Sequence, residues 1–411
     1  MSAKYGLLGR RLSHSFSPMI HSMLCGCDYG LIEREPEELD RFFERGDYDG
    51  FNVTIPYKKA VIPYMAELTD AARRCGSVNT VVRRGDGTYL GDNTDFYGFS
   101  VMLAESGIDV RGKKVLVLGN GGVAPTVREV LSDFGAGQIV TVSRSGEDNY
   151  ENLERHADAA VIVNTTPVGM SPNFDAAPLE LDCFPRLEGV LDLIFNPLRT
   201  NIMLAAEARG IKAAGGLLML AAQAVRASER FTGNVYPEGT SQKIEAAVRS
   251  AQSTIYLIGM PGCGKSTIGR ALAKASGRDF IDTDVLIQKK CGSSCGDIIK
   301  RDGEAAFRTV ETGVMAEVSG LCGKVIATGG GVVTRPENLP LMRRCGVIVF
   351  LDTPLERLST KGRPLSAGGA DAIARLAEAR LPLYRAWADA TFRTRGIHTT
   401  VRSLERGLGL L

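Results

Sequence analysis

The sequence predicts an α/β protein of parallel sheets covered by helices, and three observations carry that reading. Short β-branched runs alternate with helical stretches along the chain: KVLVLG, QIVTVS, AVIVNTT and GVLDLI, then TIYLIG, KVIATG and GVIVFLD. Parallel neighbours need a crossover, usually a helix, so this alternation argues for parallel sheets. Two glycine-rich strand-to-helix turns, Gly119–Gly122 and Gly259–Gly264, lie far enough apart for each to open a nucleotide-binding domain of its own. Third, 411 residues exceed the roughly 100–200 that one domain usually organises.

Composition narrows the class further. Apolar residues make up 44 % and charged residues 23 %, and the 47 glycines are scattered, which excludes disordered, collagen-like and coiled-coil chains. Lys plus Arg number 49 against 47 Asp plus Glu, so a net charge of +2 provides no field to attract nucleic acid or an anionic membrane. The expected partners are therefore small molecules, and no oligomeric state is specified. The N-terminus, MSAKYGLLGRRLSHSFSP, has no apolar signal region, and the most apolar stretch, Ala213–Val225, is shorter than the ~20 residues of a membrane helix. A cytoplasmic location is the expectation. Nine cysteines without paired C-x-x-C spacing predict reduced thiols, and Cys25–Cys27 and Cys291–Cys295 lack the His or second Cys pair of a metal site.

The best domain break follows SQKIEAAVRS, where a helical Ala/Glu/Lys segment gives way to the strand TIYLIG at about Thr254. This divides the chain into residues 1–250 and 251–411, with no Pro- or Gly-rich linker between them.

In the first half, KKVLVLGNGGVAPTVREVL reads as strand, glycine turn and helix, with Gly119, Gly121, Gly122 and Ala124 spaced G-x-G-G-x-A. Missing side chains let a pyrophosphate approach backbone N–H groups at the positive helix end. The following strand ends at Arg144, where an arginine suits the 2′-phosphate of NADP. Four polar clusters, LSHSFSP, FNVTIPYKK, SVNT and GDNTD, fall where turns are expected in the first hundred residues, the usual place for substrate chemistry.

In this order the motifs resemble those of the shikimate dehydrogenase family, NADP-dependent enzymes that reduce 3-dehydroshikimate, from about Tyr5 to Val248. The resemblance implies an α/β substrate domain, about 1–100 and 220–250, around a Rossmann NADP domain at about 101–219. It puts substrate-holding hydroxyls on Ser15, Ser17 and Thr54, substrate amides on Asn79 and Gln223, and catalysis on Lys58 and Asp95. NTTPVGM corresponds to the cofactor-side loop. Chemically, hydride addition to a ketone makes an alkoxide that needs a proton; Lys58 would supply it, and Asp95 would hold the ammonium. One departure is Phe195, where the family commonly has tyrosine; another is Ser143-Arg144-Ser145 for the usual Asn-Arg-Thr. Loss of a neutral hydrogen bond, worth ~0.5–1.5 kcal/mol, predicts weaker binding or altered substrate preference.

In the second half, GMPGCGKST follows an apolar strand and precedes a helical run, the context a P-loop requires. Gly259, Gly262 and Gly264 leave backbone N–H groups free to cradle phosphates, Lys265 reaches the β/γ oxygens, Ser266 ligates Mg²⁺, and Thr267 continues the cradle. Downstream, FIDTDVLI, GEAAFRTVE, ATGGGVV, KGRPLS and EARLPLYR resemble the shikimate kinase family, a P-loop kinase fold with a parallel sheet. The resemblance implies ATP and Mg²⁺, with Asp282 near the metal and Asp284 on the substrate hydroxyl. Arg308 and Arg380 would hold the substrate carboxylate, Glu311 would orient Arg308, and the backbones of Gly330 and Gly331 would approach the ring. Arg363 would close over the γ-phosphate from a lid, although Ser366 departs from the family's R-P-L-L, and Arg357 is the candidate for stacking on adenine. Cys263 inside the phosphate loop reads as a small inert residue.

The combined expectation is a bifunctional enzyme that reduces 3-dehydroshikimate with NADPH and then phosphorylates shikimate with ATP. Two other readings stay open on sequence alone. One is a non-catalytic sensor of shikimate-type ligands. The other has only the kinase half active, beside a dehydrogenase half that prefers quinate or NAD.

Overall fold

The computed structural model describes residues 3–12, 15–358 and 369–410. The chain forms two compact units, one of Met1–Phe195 with Thr200–Val248, the other of Asn196–Arg199 with Arg249–Leu411.

The first unit opens with β1 (Lys4–Gly9), α1 (Ser17–Cys25), β2 (Asp28–Glu33), α2 (Leu39–Arg45), β3 (Gly50–Val53), β4 (Glu67–Leu68), α3 (Asp70–Cys75), β5 (Thr80–Arg83) and β6 (Tyr89–Asp92). These strands make one six-stranded sheet in the order β2-β1-β3-β5-β6-β4. It is mixed: β1 pairs in parallel with β2 and β3, while β5 runs antiparallel to β3 and β6. The loops that leave β1, β3 and β6 carry the described residues of three polar clusters of the sequence, and the fourth, SVNT, leads into β5.

Next come α4 (Thr94–Ser106), β7 (Lys114–Leu118), α5 (Ala124–Asp133), β8 (Gln138–Val142), β9 (Val161–Asn164), β10 (Gly189–Asp192), α6 (Asn201–Ala208) and β11 (Lys212–Gly215). The five strands form a wholly parallel sheet ordered β11-β10-β9-β7-β8. Consecutive side chains of these strands point to opposite faces. Val115, Val117, Val161, Val163 and Leu191 pack into one core, whereas Leu116, Leu118, Ile162 and Val190 pack into another. Helices therefore cover both faces, which is why the strands read as continuous apolar runs rather than alternating ones. The helices α7 (Leu217–Thr232) and α8 (Thr240–Gln252) follow, and α7 packs against α1 and α4.

The second unit comprises β12 (Thr254–Ile258), α9 (Lys265–Ala275), β13 (Phe280–Asp282), α10 (Thr283–Cys291), α11 (Cys295–Val318), β14 (Val325–Ala327), α12 (Asn338–Arg343), β15 (Gly346–Asp352), α13 (Gly369–Trp387), β16 (Ala390–Arg393) and α14 (Ile397–Gly407). Its parallel sheet is ordered β13-β14-β12-β15-β16. β12 pairs with β14 on one side and β15 on the other and is buried along its length, so the glycine turn after it opens mid-sheet. The fold is thus α/β throughout, with one wholly parallel sheet in each unit and, in the first, a mixed sheet besides.

The thiols require a correction. Cys25 and Cys27 form a disulfide, because the left-handed Gly26 that ends α1 folds the chain back and leaves their Cα atoms 5.1 Å apart. Cys75, Cys183, Cys263, Cys291, Cys295, Cys322 and Cys345 are free. Among the described residues, no helix is long and apolar enough to cross a membrane.

Candidate functional site

A cavity of about 310 Å³ in the first unit brings together Ser15, Ser17, Thr54, Lys58, Asn79, Asp95 and Gln223, residues drawn from five separate loops and helices. At its floor, Lys58 Nζ donates to Asp95 Oδ2 at 2.6 Å, with side chains only 19 % and 12 % exposed. Asp95 lies in the first turn of α4, whose N-cap Asn93 accepts from the Phe96 N–H. The carboxylate holds the ammonium through a charge-assisted hydrogen bond. Lys58 is placed by its own backbone, whose carbonyl accepts from the Val78 N–H at 2.8 Å.

The amide of Asn79 is aimed by its neighbours. Its Oδ1 accepts from the Thr94 N–H at 2.7 Å, and the hydroxyls of Thr80 and Thr94 lie 3.1 and 3.2 Å away. With the oxygen saturated, the NH₂ is the group left for a ligand. Behind it, Tyr29 donates its hydroxyl to Asn52 Oδ1 at 2.7 Å, and Asn52 Nδ2 donates to Thr80 Oγ1 at 3.0 Å. Gln223 is anchored on α7 by a bond from Nε2 to the Leu220 carbonyl at 2.9 Å. Phe195 lines the same cavity, its ring edge-on to Phe16 of the S-F-S turn with centroids 6.0 Å apart.

A second cleft, of about 760 Å³, opens at the C-terminal ends of β7, β8 and β9 and is lined by Gly119, Gly121, Arg144 and the Thr165–Val168 loop. This is where the strand order reverses, the usual seat of a dinucleotide. Gly119 has φ +96°, and a Cβ there would come within 2.8 Å of Thr166. At Gly121 and Gly122 a Cβ would meet nothing within 4 Å, so the backbone faces open space and fits a pyrophosphate. Arg144 is exposed on the cleft wall. Ala124 behaves otherwise: it is fully buried in the helix–sheet core and serves packing.

In the second unit, Lys265 is buried and folds back over the phosphate loop, donating to the carbonyls of Gly259 at 2.8 Å and Met260 at 3.2 Å. Ser266 and Thr267 occupy the first turn of α9, where N–H groups and helix dipole favour phosphate. Cys263 is buried, consistent with an inert filler. Asp282 caps α10, accepting from the Asp284 N–H at 3.1 Å.

Arg308 and Arg380 converge on one carboxylate. Glu304 Oε1 lies 2.8 Å from Arg308 Nη2 and 3.5 Å from Arg380 Nη2. Arg308 Nη1 also donates to Glu311 Oε2 at 2.7 Å. Burial pushes the fully enclosed Glu311 carboxyl above its ordinary value, while Arg308 pulls the other way. For Arg308 burial acts downward, but the two carboxylates hold its guanidinium above its ordinary value. The triple glycine surrounds this group: a Cβ at Gly331 would fall 2.0 Å from Arg308 Nη2, and one at Gly329 would fall 2.2 Å from Glu311 Oε1 and 3.1 Å from Asp284 Oδ1. At Gly330 a Cβ would meet Pro261 of the phosphate loop at 2.8 Å, and the Gly330 carbonyl accepts from Arg380 at 3.3 Å and from Tyr384. The glycines thus make room for Arg308, Glu311 and the phosphate loop. Arg357 is exposed in a short 3₁₀ turn. Arg363, Ser366 and His14 lie outside the described residues.

Residues 7–81 match the family model described as the shikimate dehydrogenase substrate binding domain. The shikimate dehydrogenase (NADP(+)) of Clostridium beijerinckii is 36 % identical over 244 residues, 55 % of this chain and 90 % of that protein. The chain belongs to the shikimate dehydrogenase family. Residues 261–403 match the family model described as shikimate kinase, so the family's fold is fused here to a shikimate kinase domain. Among solved structures, a chorismate mutase/shikimate 5-dehydrogenase fusion protein from Clostridium acetobutylicum is 32 % identical with a TM-score of 0.57, covering 60 % of this chain and 97 % of that one. Shikimate 5-dehydrogenase from Thermus thermophilus, solved with NADP(H) and shikimate, is 29 % identical with a TM-score of 0.54, covering 60 % and 99 %.

Sequence reasoning missed several residues. Asn52 stood inside the quoted FNVT motif, and Glu304 inside GEAAFRTVE, without a role. Thr80 closes the SVNT cluster and Thr94 lies inside GDNTD, yet neither had a role, and Tyr29 carried no motif signal at all, since their hydrogen bonds cross between strands and helices. Tyr150, Ala177 and Pro178 on the second cleft were likewise illegible.

Proposed function

We propose that the first unit reduces 3-dehydroshikimate to shikimate with NADPH and that the second transfers the γ-phosphoryl group of ATP to shikimate, giving shikimate 3-phosphate. The observation that carries the reading is the Lys58–Asp95 pair, 2.6 Å apart at the floor of a cavity otherwise lined by hydroxyls, amides and apolar groups. NADPH supplies the hydride. Lys58 donates a proton to the oxygen that gains charge, and Asp95 keeps the ammonium oriented and accepts from a ring hydroxyl. Ser15, Ser17, Thr54, Asn79 and Gln223 recognise the hydroxyls and carboxylate of the ring. Gly119, Gly121 and Gly122 cradle the pyrophosphate, and Arg144 on the cleft wall supports NADP over NAD because a guanidinium suits the 2′-phosphate.

In the second unit, ATP supplies the phosphoryl group, and Mg²⁺ would neutralise part of the phosphate charge. Lys265, Ser266 and Thr267, with the backbone of Gly259, Gly262 and Gly264, hold the phosphates. The Ser266 hydroxyl and the Asp282 carboxylate would hold the metal, a pair of hard oxygen donors that fits Mg²⁺ beside phosphates. Asp284 accepts from the reacting hydroxyl, and Arg308 and Arg380 bind the ring carboxylate. Arg363 is given the lid role by family likeness alone. The domain limits follow as 1–250 for reduction and 251–411 for phosphorylation. Phosphorylation, being effectively irreversible, would draw the reversible reduction forward.

The test supplies 3-dehydroshikimate, NADPH and ATP–Mg²⁺ to the purified chain and identifies products by mass. Lys58→Ala should abolish reduction and spare phosphorylation of added shikimate, and Lys265→Ala the reverse. Joint loss in either variant, or shikimate accumulating without its phosphate in the wild type, contradicts the reading.

A further inference from the structure

Arg308 carries two carboxylates of very different standing. Glu311, on Nη1, is fully buried. Glu304, on Nη2, has a side chain 46 % exposed and reaches Arg380 with the same oxygen, Oε1. The two guanidinium groups it spans are each 6 % exposed. They are also the two groups that the proposed function gives to the ring carboxylate of the substrate. One planar anion fills the seat between them, and Glu304 supplies one from within the chain.

The backbone lets this anion exchange. α11 is broken at Gly303, with φ 85° and ψ 163°, and Glu304 is the first residue of the helical stretch after the break. A left-handed residue directly before it allows Glu304 to turn towards solvent without unwinding the stretch that carries Arg308 and Glu311.

We propose that Glu304 is an internal competitor for the substrate carboxylate and thereby an affinity-determining residue of the phosphorylation site. The inference rests on the reading of that site as binding a carboxylate between Arg308 and Arg380. Substrate binding is then an exchange: the ring carboxylate takes the two guanidinium groups, Glu304 swings out to water, and Glu311 keeps Arg308 in place. A ligand without a carboxylate gains nothing to replace the contacts of Glu304. Because the competitor is half in solvent, its hold is that of a partly screened ion pair, so removing it should strengthen binding about fivefold rather than by orders of magnitude.

The test is Glu304→Gln in the full chain, which keeps size and helix propensity while removing the charge, with the fluorescence of Trp387, buried in the same unit, as the folding control. The KM for shikimate should fall about fivefold and kcat/KM should rise by the same factor. Benzoate, a plain ring carboxylate, should bind correspondingly more tightly by calorimetry. Glu304→Asp, one methylene shorter, should fall between the two. An unchanged or raised KM in Glu304→Gln, or tighter shikimate binding without tighter benzoate binding, overturns the inference. Failure of the wild type to phosphorylate shikimate would strike the reading of the site instead, and the benzoate comparison would still report whether Glu304 competes for the arginines.

Discussion

Replacing Gly331 with alanine tests the second site through space alone. Gly331 has φ −105° and ψ 3°, a conformation open to alanine, so the backbone is not the obstacle. The obstacle is Arg308: the new Cβ would stand 2.0 Å from Nη2, 2.1 Å from Cζ and 2.3 Å from Nη1. Ordinary contact begins near 3.4 Å, so the guanidinium must retreat by more than an ångström. Glu311, fully buried and bonded to Nη1 at 2.7 Å, resists that retreat. A displaced guanidinium loses its charge-assisted bond to the substrate carboxylate, worth about 1.5–3 kcal/mol, or roughly 10- to 100-fold in kcat/KM for shikimate. ADP release at varied shikimate measures this. The KM for ATP and the reduction of 3-dehydroshikimate should stay at wild-type values. The single tryptophan, Trp387, lies in the second unit and is buried, so its fluorescence reports whether that unit still folds. A folded variant with a shikimate KM within twofold of wild type would refute the placement of Arg308 on the substrate.

Three further outcomes follow from the geometry. Arg144→Ala should weaken NADPH about 10- to 100-fold by KM and leave NADH nearly untouched, since only the former carries a phosphate for the guanidinium; equal losses would remove Arg144 from the cofactor site. Phe195→Tyr restores a hydroxyl at the edge of the first cavity and should lower the KM for 3-dehydroshikimate about two- to tenfold, read by steady-state NADPH oxidation. His21 is fully buried, stacked on Tyr29 at 4.1 Å, and burial lowers its imidazole from 6.5 to about 4. A depressed histidine stays neutral in the fold while the unfolded chain takes up a proton, so stability present above about pH 6.5 drains away towards pH 4, by about 3 kcal/mol in all. Nuclear magnetic resonance titration of the four histidines should show one with a midpoint near 4; four midpoints between 6 and 7 would disprove this.

Local chemistry was legible before any coordinates. The spacing of Gly259, Gly262, Gly264 and Lys265 encodes a phosphate loop because covalent neighbours alone build it, and β12 ends where the apolar run ends. The same holds for Gly119 and Gly121 on the second cleft, whereas Ala124, one turn further on, serves packing against the sheet. The cysteines went the other way. Composition pointed to reduced thiols, but a single left-handed glycine brings Cys25 and Cys27 into a bond, an effect of one turn that composition averages away.

What the sequence determined by itself was the inventory: a parallel α/β architecture, two nucleotide turns, a Lys and an Asp in polar motifs, and arginines set to receive an anion. The tertiary structure decided who stands beside whom. Lys58 meets Asp95, Asn52 and Thr80 aim Asn79, and Glu304 spans Arg308 and Arg380. Such contacts join residues from different strands and helices, and their distances depend on how whole elements pack. Motif spacing records only what neighbours along the chain must do, so a carboxylate poised between two distant arginines is invisible until the sheet and its helices bring them together.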